Sequence, residues 1–163
     1  MKTEAYYFCS MYSRQETAQL KQQFWTAFGQ YMNPVVSADG EKQNWVNYRT
    51  GEKDIAFRMT ADNRKATISI ELSHRDEGIR LLYFDQFLQF RHLLTDVLQE
   101  EWNWDLQSFN DGGRAVSTIS VTLSGVSIFR KEDWPQIISF FKPRIMALDE
   151  FWSGVKYAFA ALR

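Results

Sequence analysis

Two carboxylates raise the question of chemistry. Asp54 opens one apolar-alternating run, and Glu71 lies on the next. An acid at the start of one strand and a Glu on its neighbour can share a divalent cation, which activates water and stabilises phosphoryl charge. Their companions on the same outward face are Trp45, Asn47, Arg49, Arg58, Thr67 and Ser69. The same residues also read as cross-strand ion pairs on a solvated sheet, Arg49 with Asp54 and Arg58 reaching diagonally to Glu71. A third reading is nucleic-acid binding through Trp45, Arg49 and Arg58. The sequence therefore names a candidate polar face of Trp45, Arg49, Asp54, Arg58 and Glu71, and assigns no catalytic residue.

Other chemistry finds less support. His74 follows a strand-like run and His92 falls in a helical one, so neither belongs to a two-histidine zinc motif. No Gly-x-Ser-x-Gly elbow occurs. Asp111-Gly112-Gly113 marks a hairpin turn, not a phosphate loop. Cys9 is the single cysteine, which excludes an intramolecular disulfide and a cysteine-based zinc site. No metal or cofactor is implied. Trp102 and Trp104 share a face with Leu106, and their alternate neighbours are acidic or neutral, so they read as core and not as a base-stacking platform.

Composition frames these residues. The 163-residue chain is 45% apolar and 24% charged, as expected for one soluble globular domain spanning 1–163, with 1–12 as a loosely ordered N-terminal segment. With 19 basic and 20 acidic residues there is no net positive field to draw it to nucleic acid or anionic lipid. No window approaches the roughly 20 apolar residues of a membrane span. Glu4 and the lack of a sustained apolar stretch argue against a secretory signal, and a cytoplasmic location follows as the expectation.

The elements that must position these residues follow from periodicity. Ser13 with Glu16 is a capping box, and Leu20, Phe24, Ala27, Phe28 and Tyr31 form a stripe, predicting a helix over about 14–32. Three alternating runs follow, around Val46 and Tyr48, then Ile55, Phe57 and Met59, then Ile68, Ile70 and Leu72. Setting Arg49 opposite Asp54 and Arg58 opposite Thr67 keeps every apolar residue on one face, so a three-stranded meander is expected. An apolar helix over about 77–100 should be buried on more than one side. A second hairpin turns at Asn110–Gly113 and sets Trp104 against Ile119 and Phe109 against Arg114. A last helix runs from about 131, with Pro135 in its first turn. It carries the seam Phe141, Ile145, Leu148, Trp152, Val155, Phe159 and Leu162. That seam packs on the chain's own core or, alternatively, forms a homodimer. The fold class is α+β, in the order αβββαββα.

The run of helix, meander, helix and strand resembles the core of restriction-endonuclease-like enzymes. That resemblance implies an acid and a Glu as Mg²⁺ ligands, places filled by Asp54 and Glu71, and a Lys two residues beyond the Glu. Ser73 stands there instead and supplies no positive charge; Arg58 or Lys53 would have to substitute.

The segments "FWTAFGQYM", "WVNYRTGEKDIAFRM", "YFDQFLQFRHLL", "EWNWDL" and "GVSIFRKEDWPQIISFFKPRIMALDEFW" carry a broader resemblance. Over roughly 20–155 the chain resembles domain-of-unknown-function family 4268. The resemblance implies a small bacterial protein whose related modules lie C-terminal to nuclease-like parts, and it carries over no catalytic residue. A non-catalytic interaction or accessory domain is the expected function; a degenerate or active Mg²⁺-dependent nuclease and a nucleic-acid-binding module are the alternatives.

Overall fold

Helix α1, Arg14–Met32, begins where Ser13 leaves extended backbone and its hydroxyl accepts the Glu16 N–H at 3.1 Å. The computed structural model describes residues 13–163, so the expected N-terminal segment 1–12 lies outside the described residues. The buried stripe of α1 is Phe24, Phe28 and Met32. Tyr31 falls outside it, half exposed under the Lys142 ammonium.

The first expected strand does not form. Residues 33–54 turn back on themselves with one isolated bridge, Val36 to Lys42. Two local contacts explain this. The Asn44 side chain accepts the Asn47 N–H, a turn that competes with extension. Trp45 and Tyr48, three apart, pack ring to ring and each bonds inward, which a period of two cannot achieve.

β1 (Ile55–Ala61) and β2 (Lys65–Leu72) form the hairpin. Arg58 lies opposite Ser69, not Thr67, because the Asp62 carboxylate takes the Arg64 and Lys65 N–H groups and tightens the turn. A slip of two leaves each side chain on its own face, so the apolar pattern was blind to it.

The long apolar stretch divides into α2 (Glu77–Gln89) and α3 (Arg91–Leu98) at Phe90, whose φ of −102° and ψ of 14° leave the helical region. Burial on more than one side does not occur. Tyr83, Phe84 and Phe87 face the core, while Leu81, Leu82 and Leu88 are exposed.

β3 (Asn103–Phe109) and β4 (Ala115–Ser124) pair with Trp104 opposite Ile119, as the pattern requires. A bulge between Asp105 and Ser108 then moves Phe109 opposite Ala115 instead of Arg114. It also turns Leu106 outward, and its carbonyl accepts the buried Ser117 hydroxyl.

The two hairpins join through β2 and β4 into one antiparallel sheet, ordered β1-β2-β4-β3. With four strands and no 45–49 strand, the meander and the endonuclease-like order expected from the sequence are both replaced.

After the 3₁₀ turn Lys131–Asp133, α4 (Trp134–Ala160) crosses the apolar sheet face. Its seam is spent inside the chain. Phe141, Ile145, Leu148, Trp152, Val155 and Phe159 are all at most 3% exposed. These side chains touch the sheet, α1 and α2, so the homodimer reading of the seam is corrected: none of the six is free to meet a second copy. No helix among the described residues is long and apolar enough to cross a membrane.

One ion pair ties α4 to the loop after α3. Arg144 forks onto Glu100 at 2.7 and 2.9 Å, and Trp102 Nε1 donates to the same carboxylate at 2.9 Å. Burial pushes Glu100 up, but the Arg144 and Trp102 bonds outweigh it and hold the carboxyl below its ordinary 4.5. The stabilisation is therefore complete above the unfolded value and is lost as pH falls through the depressed folded value. Glu100→Gln should lower the urea midpoint at pH 7 and flatten its decline below about pH 4.5. An unchanged acid limb in the variant would remove Glu100 from that role.

Candidate functional site

One face of the sheet takes the helices; the other carries the polar set. Alternation brings Arg58 and Thr60 of β1, Thr67, Ser69 and Glu71 of β2, and Thr118, Ser120 and Thr122 of β4 to this second face. Three of the directly opposed pairs are hydroxyl to hydroxyl: Thr60 with Thr67, Thr67 with Thr122, and Ser69 with Ser120. The Thr67 and Thr122 hydroxyls lie 3.0 Å apart. A groove of about 640 Å³ runs over these hydroxyls, bounded by Lys21, Trp25 and Phe109. Lys21 and Trp25 of α1 form one wall of it.

The five candidate residues do not assemble into one constellation. Trp45 is 3% exposed, and its indole N–H donates to the Val35 carbonyl at 3.0 Å. It is core, a correction to its expected outward place. Arg49 is exposed on the irregular segment and makes no ion pair with Asp54 among the described residues. Arg58 does reach diagonally to Glu71, Nε to Oε2 at 3.1 Å, as the cross-strand reading supposed. Glu71 is 7% exposed, which is unusual for a carboxylate on a solvent-facing side. The half-exposed Arg58 covers it and supplies the countercharge. The nucleic-acid reading through Trp45, Arg49 and Arg58 thus loses its stacking ring to the core and one of its cations to Glu71.

Asp54 sits one residue before β1, beside the end of β2: its carbonyl accepts the Ser73 N–H at 3.0 Å. Its side chain lines a separate cleft of about 600 Å³ together with Lys53, Ser73, His74, Arg75 and Arg114. Glu71 does not line it. The two acids of the nuclease reading therefore serve different surroundings, one under Arg58 and one among cations. No cluster of three or more His, Cys, Asp or Glu side chains placed to hold a metal ion occurs among the described residues.

This cleft is the feature that sequence reasoning missed. Its residues come from the loop before β1, the end of β2 and the start of β4, and each looks ordinary in its own segment. The available signal was the pairing itself. Once β1 and β4 both flank β2 with Leu72 opposite Ile55 and Ser117, the residues just beyond must converge.

A further cavity, about 720 Å³, opens between α4 and the 36–45 loop. Asp149 forms part of its wall, 5% exposed, accepting the Ala38 N–H at 2.7 Å and the Tyr48 hydroxyl at 2.6 Å. Burial and then the Asp149 bond hold the Tyr48 phenol well above its ordinary value. Both bonds tie the irregular segment to α4, which is a structural use of the carboxylate.

Comparison with known proteins agrees with the word patterns of the sequence. No curated protein and no solved structure matches the chain. Residues 20–156, most of the chain and nearly all the elements described above, match the family described as "Domain of unknown function (DUF4268)", and the protein belongs to that family.

Proposed function

We propose that this protein is a non-catalytic interaction or accessory domain, working in the cytoplasm, whose binding surface is the hydroxyl-lined sheet face. The observation that carries this reading is the commitment of Glu71: buried, ion-paired to Arg58 at 3.1 Å, and set apart from the cleft that Asp54 lines. A cation shared between the acids would have to displace Arg58 from Glu71 and draw together two carboxylates that now line different surroundings. The centre of the face is hydroxyls, which offer directional hydrogen bonds, with Lys65 and Asp105 towards its margins. Such a surface suits recognition of a polar partner better than phosphoryl transfer.

Mn²⁺ titration followed by NMR line broadening tests this reading, together with incubation of single- and double-stranded DNA and RNA with Mg²⁺ or Mn²⁺. The expected result is no saturable broadening at Asp54 and Glu71, and no cleavage above that of an Asp54→Asn/Glu71→Gln variant. A cation site shared by both residues, or cleavage abolished by the two substitutions, would overturn it. Glu71→Gln alone should lower stability by about 1–3 kcal/mol through the lost charge-assisted bond to Arg58, read by urea unfolding.

A further inference from the structure

We infer that the cleft between the β1 approach, the β2 exit and the β4 start binds a phosphate-type oxyanion. This surface is distinct from the hydroxyl-lined sheet face, and the inference does not depend on the function proposed for that face.

Charge is the first argument. Lys53, Arg75 and Arg114 line the cleft against a single carboxylate, Asp54. None of the three cations makes an ion pair among the described residues. In a chain with net charge −1, three unmatched cations around one concavity are a local excess.

The second argument lies behind the cleft wall. Arg80 of α2 is 5% exposed and has no carboxylate partner among the described residues. Its Nη1 donates to the carbonyls of His74 and Arg75 at 2.8 and 3.1 Å, the backbone that forms the wall, and its Nε has no partner. A buried guanidinium without countercharge is costly. An anion in the cleft that His74 and Arg75 line would supply countercharge to the guanidinium bonded to the backbone of those same residues.

Donor chemistry is the third. His74 Nδ1 accepts the Asp76 N–H at 3.0 Å, so a neutral ring carries its proton on Nε2 and donates from there. With the Ser73 hydroxyl and two guanidinium forks, the cleft offers donors and few acceptors, the pattern that suits phosphate oxygens. A volume of about 600 Å³ admits a phosphate and the small group attached to it. A free nucleotide and the 5′-phosphorylated end of a strand share this chemistry.

The test follows amide shifts of the full chain, at constant ionic strength, with inorganic phosphate, adenosine monophosphate, and single-stranded oligonucleotides with and without a 5′-phosphate. Chloride at the same ionic strength is the control. Saturable shifts from phosphate at Lys53, Ser73, His74, Arg75 and Arg114 are expected, absent with chloride. Arg75→Gln and Arg114→Gln should each weaken binding about tenfold, the effect of one charge-assisted bond. Both positions are exposed, so the variants should keep the wild-type spectrum elsewhere. Tighter binding of the mononucleotide than of phosphate would support a free nucleotide as the source; preference for the phosphorylated oligonucleotide over its unphosphorylated twin would support a strand end. No saturable shift with phosphate, or affinity unchanged in both variants, would overturn the inference.

Discussion

Phe159→Ala should lower the unfolding free energy by about 3–5 kcal/mol, by the same amount at every protein concentration. Phe159 is fully buried near the end of α4 and meets four rings: Phe87 at 4.4 Å, Trp152 at 5.2 Å, Phe90 at 6.3 Å and Tyr83 at 6.4 Å. Truncation loses the transfer energy of the ring and leaves a cavity that rigid aromatic neighbours cannot refill. It also uncouples α4 from both α2 and the break at Phe90. Urea unfolding by circular dichroism at two concentrations decides the matter. A loss below about 1 kcal/mol would contradict the packing described. A midpoint that rises with concentration would show that the protein associates, because only association makes stability concentration-dependent.

The second large effect is expected at Asp149. Asp149→Ala should cost about 2–4 kcal/mol, since the Tyr48 hydroxyl and the Ala38 N–H lose their acceptor together. Tyr48→Phe removes one bond and leaves the other, so its cost should be smaller, about 1–2 kcal/mol. Because the two residues share a bond, the double variant should fall short of the sum of the singles. Amide exchange offers a separate readout. Without Asp149, the 36–48 stretch keeps the Trp45 anchor to the Val35 carbonyl, and beyond it Thr50 stays bonded to Trp152. Exchange should therefore quicken between these anchors and stay slow in β2 and β4. Additive single effects, or uniform loosening across the sheet, would show that Asp149 does not act as this tether.

Much of the local architecture was readable from spacing. Ser13 and Glu16 announced the start of α1, because a cap and its partner are three residues apart in sequence as in space. Ile55, Phe57, Ile68 and Ile70 announced a strand pair with one apolar face, and that face is buried. Trp104 opposite Ile119 followed from the turn at Asn110–Gly113. The errors have equally physical causes. Trp45 fitted an alternating pattern, yet a short run of alternation is also what a turn packed on a core produces. The slip of two between β1 and β2 left every face unchanged, so only the turn's own hydrogen bonds could set it. Phe90 looked like one more apolar helix position, and only the packing of two separate helices made it a break.

The candidate site divides along the same line. By itself the sequence determined that Glu71 is outward on its strand, that Arg58 can reach it, and that no lysine stands two residues beyond. These are properties of neighbouring strands with a period of two. Tertiary structure alone decided that β4 returns beside β2, extending the polar face with Thr118, Ser120 and Thr122. It decided that the α4 seam is core, and that Lys53, His74, Arg75 and Arg114 meet around Asp54 while Arg80, bonded to the His74 and Arg75 carbonyls, finds no carboxylate among the described residues. Such convergence depends on where the chain comes back to itself after more than forty residues, from Leu72 to Ser117. Local pattern carries no record of that distance, because many returns bury the same apolar face equally well and only the packed whole selects one.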